Sequence, residues 1–385
     1  MVAASKLILL AGATSVLVTL CGCAQRYQIV WGDMHGHTNL SDGKGSLDDY
    51  FRHARDVAKL DFVIVTDHDF GNGKPTWRMP QETWTFTQNK ADEYTTNDHF
   101  VAIAGYEWTS QPKYWTEVGA NLRSERLFPG PPRFFNHKNV YFPSPVPHLF
   151  SSKDTAYHTP DLLADAVRKT GGLIHNAHPD PKPTGRDQFD YAPSAYDVIA
   201  NTEMWADVIQ FGGTNHPTRG EQTVRAFLDR GGRTGFVGGT DTHEGKPAAR
   251  TAVLVRRLTR AAIFDALRHR RNYAVNHARI ELDFRINGHI MGGEVEVKGC
   301  PRIVVEVIGT APIEEVAVVR DGAVIHAINP RKTQARLNCV DRNFGGSSYY
   351  YIRVTQSDKD KHGNKSCAWS SPIWARSVSS AAQHD

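Results

Sequence analysis

The chain is punctuated by short apolar runs that each stop at a side chain able to bind a metal. Between residues 27 and 280 they are Gln28-Ile29-Val30-Trp31-Gly32-Asp33-Met34-His35, Phe62-Val63-Ile64-Val65-Thr66-Asp67-His68, Phe100-Val101-Ala102-Ile103-Ala104-Gly105-Tyr106-Glu107, Gly172-Leu173-Ile174-His175-Asn176-Ala177-His178 and Gly235-Phe236-Val237-Gly238-Gly239-Thr240-Asp241. Two weaker runs are Asn139-Val140-Tyr141-Phe142 and Asp207-Val208-Ile209-Gln210-Phe211. Such runs, bounded by glycine and polar residues, predict strands buried on both faces of a parallel sheet. Helical stripes separate several of them: Leu47, Tyr50, Phe51, Ala54, Val57 and Ala58; Leu162, Leu163, Ala166 and Val167; Val224, Phe227 and Leu228; Ile263, Phe264 and Leu267. Strand alternating with helix predicts an α/β fold. In α/β barrels the chemistry gathers at the C-terminal ends of the strands, where these histidines and acids stand. Residues 69–99 and 108–136 read as long connections of the size used for lids or binding loops.

Near residue 281 the pattern becomes one of alternation: Glu281–Ile286, Glu294–Val297, Ile303–Val307, Val316–Val319 and Tyr349–Val354, with Asp321-Gly322 as a hairpin turn. Residues 281–385 are therefore expected to form a β-rich accessory domain, a small β-sandwich, after a catalytic unit spanning 26–280.

Composition alters this picture in three places. With 40% hydrophobic and 22% charged residues the chain is globular, and a net charge of +4 spread along it gives no nucleic-acid footprint. The 18 histidines stand out, several beside acids. Of five cysteines, none lies near the histidine motifs, which excludes thiolate zinc sites. Cys300, Cys339 and Cys367 leave a disulfide open in an exported protein without choosing a pair.

The other two cysteines sit in the leader. Lys6 precedes an apolar run, Leu7 to Leu20, too short to span a bilayer comfortably, which ends in Leu20-Cys21-Gly22-Cys23. This resembles a bacterial lipobox, so residues 1–23 are expected to be a lipoprotein signal peptide with Cys23 lipidated. An uncleaved anchor helix is the competing reading. The expectation is an exported protein facing the periplasm or cell exterior and touching the membrane only through its anchor.

His35 and His37 lie two apart, which in a strand places both imidazoles on one face. Alone, such a pair more often has no metal role. Asp42 follows five residues later, and Asp33, one strand step before His35, is placed to orient an imidazole from behind, as is Asp67 beside His68. Glu107 ends an apolar strand, where an unpaired charge is costly and a bridging carboxylate would satisfy it. His137 is the least persuasive taken singly. Of His175 and His178 only one need bind metal, and His178, nearer the strand end, is preferred. Asp241 and His243 form a second pair on one face.

Together these motifs resemble the polymerase and histidinol phosphatase (PHP) superfamily over residues 27–280. Trp31–Gly43 looks like its first motif, Thr66-Asp67-His68 its second, and Gly239-Thr240-Asp241-Thr242-His243 its last, while Ser370-Ser371-Pro372-Ile373-Trp374 is similar to an exported branch related to carbamate-hydrolysing members. The resemblance implies a distorted seven-stranded (β/α) barrel holding two or three divalent ions, zinc, manganese or iron. One ion would take His35, His37, Glu107 and Asp241. A second would share Glu107 and take His137 and His178. A third would use Asp42, His68 and His243.

The expected activity is metal-dependent hydrolysis of a small-molecule or envelope-derived ester, with phosphoesters leading and carboxylic or carbamic esters second. A surface lipoprotein with a structural metal site, binding a glycan or partner, is a third reading. His175 is a candidate acid for the leaving group. If the substrate is a phosphate ester, Arg123, Arg126, Arg133 and Arg250 are candidates to bind its oxygens, though an ordinary surface arginine is the first reading of each.

Overall fold

The computed structural model describes residues 27–69, 78–110, 135–179, 188–207 and 217–378. Each strong apolar run is a strand: β1 (Gln28–Asp33), β2 (Phe62–Val65), β3 (Val101–Ser110), β5 (Leu173–Asn176) and β7 (Gly235–Gly239). The weak run at Asn139 belongs to β4 (Asn136–Tyr141). Of the weak run expected at 207–211, residues 208–211 lie outside the described residues; just before it, β6 occupies Ile199–Ala206. β6 is buried throughout but carries Asn201, Thr202 and Glu203, so it shows no apolar run.

The sheet is mixed, not all-parallel. β1, β2 and β3 run parallel, β4 is antiparallel to both β3 and β5, and β5, β6 and β7 are parallel again. β8 (Thr251–Val255) lies antiparallel to β1, and β9 (Asn272–Val275) antiparallel to β8. The reversal of β4 brings its beginning to the end of the sheet where its neighbours finish, with His137 opposite Thr109.

One face of the sheet packs on the predicted helices. Leu47, Tyr50, Phe51, Leu163 and Val167 bury against Trp31, Val63, Val65 and Ile174. On the other face Val30, Phe62, Ile64, Val101, Ile103, Tyr141, Leu173, Ala200, Val237 and Val253 meet in one cluster, plugged by Ile263, Phe264 and Leu267 of the helix Arg260–Arg268. Strands from β1 to β8 share that cluster, so the sheet is curled. The ladder does not close the expected distorted seven-stranded barrel: β7 pairs with β6, and the path continues from β1 into β8 and β9. Thr251 Oγ1 takes the place of a β7–β8 ladder, accepting from Gly238 N at 2.9 Å and donating to Gly238 O at 2.7 Å. Past the strand ends, Asp241 N donates to His35 O and His37 N to Thr242 O. The curl is thus joined at its functional end.

Within the connection expected at 69–99, Gln81–Tyr94 is a helix. Trp84, Gln88 and Ala91 face inward, but Gln88 spends its amide on the backbone of Val146, accepting at 2.6 Å and donating at 3.1 Å. A half-polar inner face hides the stripe. Residues 70–77 and 111–134 lie outside the described residues.

The C-terminal strands alternate as expected. β10 (Glu281–Ile286), β11 (His289–Ile290), β13 (Arg302–Ile308) and β16 (Gln334–Val340) form one sheet. Its buried face shares a core with Ile313, Val316 and Val318 of β14 (Ile313–Arg320) and with Tyr350, Ile352 and Val354 of β17 (Ser347–Lys359). β14 turns into β15 (Ala323–Ile328) through Asp321-Gly322, both with positive φ, as a two-residue hairpin requires. This second layer is not separate from the first unit. β18 (Lys365–Ser370) pairs with β9, while β17 joins β19 (Ile373–Ser377), which pairs with β12 (Glu294–Val297), so one sheet runs through both halves. The Ser371 hydroxyl accepts from Phe236 N of β7 at 2.8 Å and donates to Asn272 O of β9 at 2.6 Å. Arg233 and Arg270 lie over the Trp374 ring at 5.0 and 5.5 Å. Cys300, Cys339 and Cys367 are all free thiols; Cys339 and Cys367 lie on different sheets.

Because β18 completes the sheet beside β9, the two halves should unfold together. Calorimetry is expected to show a single cooperative transition, with a chain ended at residue 280 failing to fold; two well-separated transitions would contradict the shared sheet.

Candidate metal centre

Six strands deliver donors to one end of the sheet. His35, His37 and Asp42 follow β1, His68 follows β2, Glu107 lies within β3, His137 near the start of β4, His178 just past β5, and Asp241 and His243 past β7. All nine expected ligands converge. Glu107, 1% exposed, is at the middle. Its Oε1 lies 2.8 Å from His137 Nδ1, 3.1 Å from His178 Nε2 and 3.4 Å from His35 Nε2. Its Oε2 lies 2.9 Å from His68 Nδ1 and 3.5 Å from His37 Nε2. The carboxylate therefore spans two sub-clusters, as a bridging ligand must.

Asp241 Oδ1 stands 3.1 Å from His37 Nε2 and 3.4 Å from His35 Nε2, completing the first expected set. Asp42 draws together the third: Oδ1 is 3.5 Å from His243 Nε2 and 3.8 Å from His37 Nδ1, and Oδ2 is 3.5 Å from His68 Nε2. His243 Nδ1 donates to the Asp241 carbonyl at 3.0 Å, which leaves Nε2 facing Asp42. The backbone is strained where the ligands sit: His178 has φ 26 and Asp241 φ 49, conformations rare outside glycine.

The donors fit divalent cations. His35 Nε2, His37 Nδ1, Glu107 Oε2 and His243 Nε2 are buried without a hydrogen-bond partner, though each faces other donors of the cluster. The overlapping groups His37–Asp42–His68–His243, His35–His178–Asp241, His35–His37–Glu107 and His68–Glu107–His137 each hold their ligand atoms within 4.8 Å of one another. A cation bound at about 2.0–2.2 Å by each donor brings ligand atoms to that order of separation.

Charge points the same way. Burial would raise the Glu107 pKa, but His137, His68 and His35 outweigh it and hold the carboxyl well below its usual range. Asp241 and Asp42 are likewise lowered against burial by surrounding imidazoles. Burial opposes protonation of the histidines, yet the carboxylates raise His35, His178 and His243, and raise His68 to about 10. Only His137 among the ligands around Glu107 Oε1 is pulled down, to about 4, because burial wins there. Without cations, then, protons on imidazoles balance the anions.

Other expected residues take different places. Asp33 does not reach an imidazole. It accepts from Thr240 N at 3.0 Å, Thr240 Oγ1 at 2.6 Å, Ala248 N at 2.9 Å and His35 N at 3.3 Å, so it pins the last motif to the first; burial lifts its pKa to about 6. Asp67 likewise holds backbone and hydroxyls, accepting from Thr38 N at 2.8 Å, Thr38 Oγ1 at 2.7 Å and Ser41 Oγ at 2.7 Å, and fixes the loop that carries Asp42. His175 is wholly buried, 3.2 Å from Glu203 Oε1 and edge-on to the His35 ring, so it sits behind the cluster rather than on its exposed side. Arg250 is engaged by Asp207 at 2.8 and 2.6 Å, which removes it as an anion ligand. Arg123, Arg126, Arg133 and Cys23 lie outside the described residues. Glu203 was not foreseen. An acid at the fifth position of Ile199-Ala200-Asn201-Thr202-Glu203, beyond two polar residues, gives no strand-end signal.

Comparison with known proteins adds relatives without a characterised function. No protein-family profile matches the chain. An uncharacterised protein of Chlamydia trachomatis is 26% identical over 386 residues, covering 92% of this chain and 58% of that protein. Another from Chlamydia muridarum is 25% identical over 378 residues, covering 90% and 57%. The chain thus spans less than two thirds of the length of the curated relatives it matches. Among solved structures, a two-domain protein of Bacteroides vulgatus, described as containing a predicted PHP-like metal-dependent phosphoesterase, is 15% identical with a TM-score of 0.47, covering 92% of this chain and 98% of that one. A likeness so loose carries no weight for function.

Two outcomes check the centre. Cation uptake must displace the protons that the raised pKa values place on His35, His68, His178 and His243. Zinc titrated into metal-free protein near pH 7 is expected to release protons, seen as a buffer-dependent heat, with cation affinity falling as the pH is lowered. A His35→Ala, His37→Ala double variant is expected to lose most of its metal by elemental analysis; unchanged content would count against the assignment.

Proposed function

We propose that this chain is a divalent-metal-dependent hydrolase of the PHP type, acting on phosphoester bonds. The observation that carries the reading is the convergence of nine donors from six strands on one end of the sheet, bridged by Glu107. A structural site needs four ligands and is closed. Here there are more donors than that, and one side is open: Asp42 and His243 are 37% and 23% exposed at the side chain, while His35, His37 and Glu107 are sealed.

Divalent ions held there supply Lewis acidity, which acidifies water and stabilises negative charge developing on a substrate oxygen. The residues do the rest by placement. Glu107, Asp241 and the sealed imidazoles form a dry floor, and the Asp42–His243 edge is the side from which water and substrate enter. Six imidazoles and three carboxylates leave two or three divalent ions with excess positive charge, which favours an anionic phosphoryl group over a neutral ester. Six of the nine donors are imidazoles, which suits zinc, manganese or iron. The leader supports export with Cys23 as the lipid anchor, and hence an envelope-derived or small-molecule substrate.

The test is turnover of nitrophenyl phosphate, bis-nitrophenyl phosphate and naphthyl esters by protein purified without chelator and supplied with manganese or zinc. Phosphoester cleavage that chelator abolishes and metal restores is expected, with Glu107→Gln lowering kcat/KM at least about a hundredfold, the upper end of what outer-sphere changes cost. Cleavage of naphthyl esters alone would transfer the reading to carboxylic or carbamic esters. Metal-loaded protein inert on every substrate would overturn it in favour of a non-catalytic surface protein.

A further inference from the structure

We infer that Glu203, on β6, is the positioning residue of the centre: its carboxylate selects the nitrogen that His35 offers to a cation and at the same time fixes the backbone of His178. This rests on the metal-centre reading above and adds to it a residue outside the expected ligand set.

Glu203 Oε1 lies 2.9 Å from His35 Nδ1. A carboxylate is an acceptor only, so the proton that His35 keeps when it binds a cation sits on Nδ1, and the lone pair it then offers is on Nε2. His35 Nε2 is the atom left without a hydrogen-bond partner, 3.4 Å from both Glu107 Oε1 and Asp241 Oδ1. One ring nitrogen is thereby committed behind and the other aimed forward. The second oxygen, Oε2, accepts from His178 N at 2.6 Å. His178 has φ 26, a conformation a non-glycine residue keeps only when its surroundings impose it, and this bond is one such restraint. A single side chain from β6 thus aligns a ligand after β1 with another after β5.

The surroundings are built for this contact. His175 Nε2 braces Oε1 from the far side at 3.2 Å. Gly239 of β7 leaves the gap that the pair needs: a Cβ there would stand 2.5 Å from Glu203 Oε1 and 2.5 Å from the Cβ of His35. Glu203, His35 and His175 are each 0% exposed, so Glu203 cannot touch substrate, and its role runs through the ligands it holds.

Two measurements test the assignment. In zinc-loaded wild-type protein, 15N-histidine NMR is expected to show His35 ligated through Nε2 with Nδ1 protonated. Ligation through Nδ1 would mean that His35, His175 and Glu203 hold a cation themselves, and would overturn the inference. In Glu203→Gln, which keeps the shape but loses the charge, zinc affinity by chelator competition is expected to fall about ten- to a hundredfold, with a changed visible spectrum of the cobalt-substituted protein. Glu244→Gln, which removes only the exposed ion pair with Lys44 at 2.7 Å, should leave both unchanged. A folded Glu203→Gln protein with wild-type affinity and spectrum would overturn the inference while leaving the centre standing. Should that variant not fold, the wild-type NMR decides alone. Wild-type protein that takes up no zinc refutes the metal centre itself, and this inference with it.

Discussion

An anion as deeply buried as Glu107 must be compensated, since desolvating a carboxylate costs several kcal/mol unless opposite charge or donors surround it. Around this one stand imidazoles brought by β1, β2, β4 and β5. That requirement explains features that look arbitrary one at a time. β4 runs against its neighbours, so His137 arrives at the same end as residues that follow parallel strands. The chain past β7 returns to the chain past β1 through three backbone bonds, so Asp241 and His37 face each other although no ladder closes the sheet there.

The buried acids divide their work. Glu107, Asp241 and Asp42 point their oxygens at imidazoles. Asp33 and Asp67 point theirs at amides and hydroxyls of the segments bearing those imidazoles. Asp69 does the same further out, accepting from Ser152 N at 2.6 Å and pairing with Lys153 at 3.3 Å. Loops are the least rigid part of a fold, and here the loop carrying Asp42 is pinned by Asp67 of the second motif and the segment past β7 by Asp33 of the first. A dense run of acid and histidine in the sequence therefore mixes two kinds of residue, those that would touch a cation and those that hold the first kind still.

Much of this was legible beforehand, because strands buried on both faces are apolar runs and their ends are where polarity returns. Val63–Val65 followed by Asp67 and His68 is such a case; Asp42 and His137, which no strand end marks, entered the expected set through the resemblance to the PHP motifs. What escaped follows from the same rule. β6 spends Asn201 on the Leu267 carbonyl and Thr202 on Thr234 and Asn176, so its buried positions are polar and its run is broken before Glu203. The helix Gln81–Tyr94 turns an amide inward for a loop carbonyl. The uninterrupted sheet was invisible for another reason: pairing between β9 and β18 joins residues about ninety positions apart, and local pattern carries no register between distant strands.

The tie made by Ser371 has a consequence for how the protein comes into being. On the ribosome, the bonded residues of β7 and β9 are made 135 and 99 residues before the hydroxyl that binds them both. Until that stretch emerges, the edge of β9 has no neighbour and the strand leading to Asp241 lacks one of its restraints. The nine donors, ending at His243, are thus all synthesised before the hydroxyl that ties β7 to β9, and the order of synthesis is not the order in which the fold is secured.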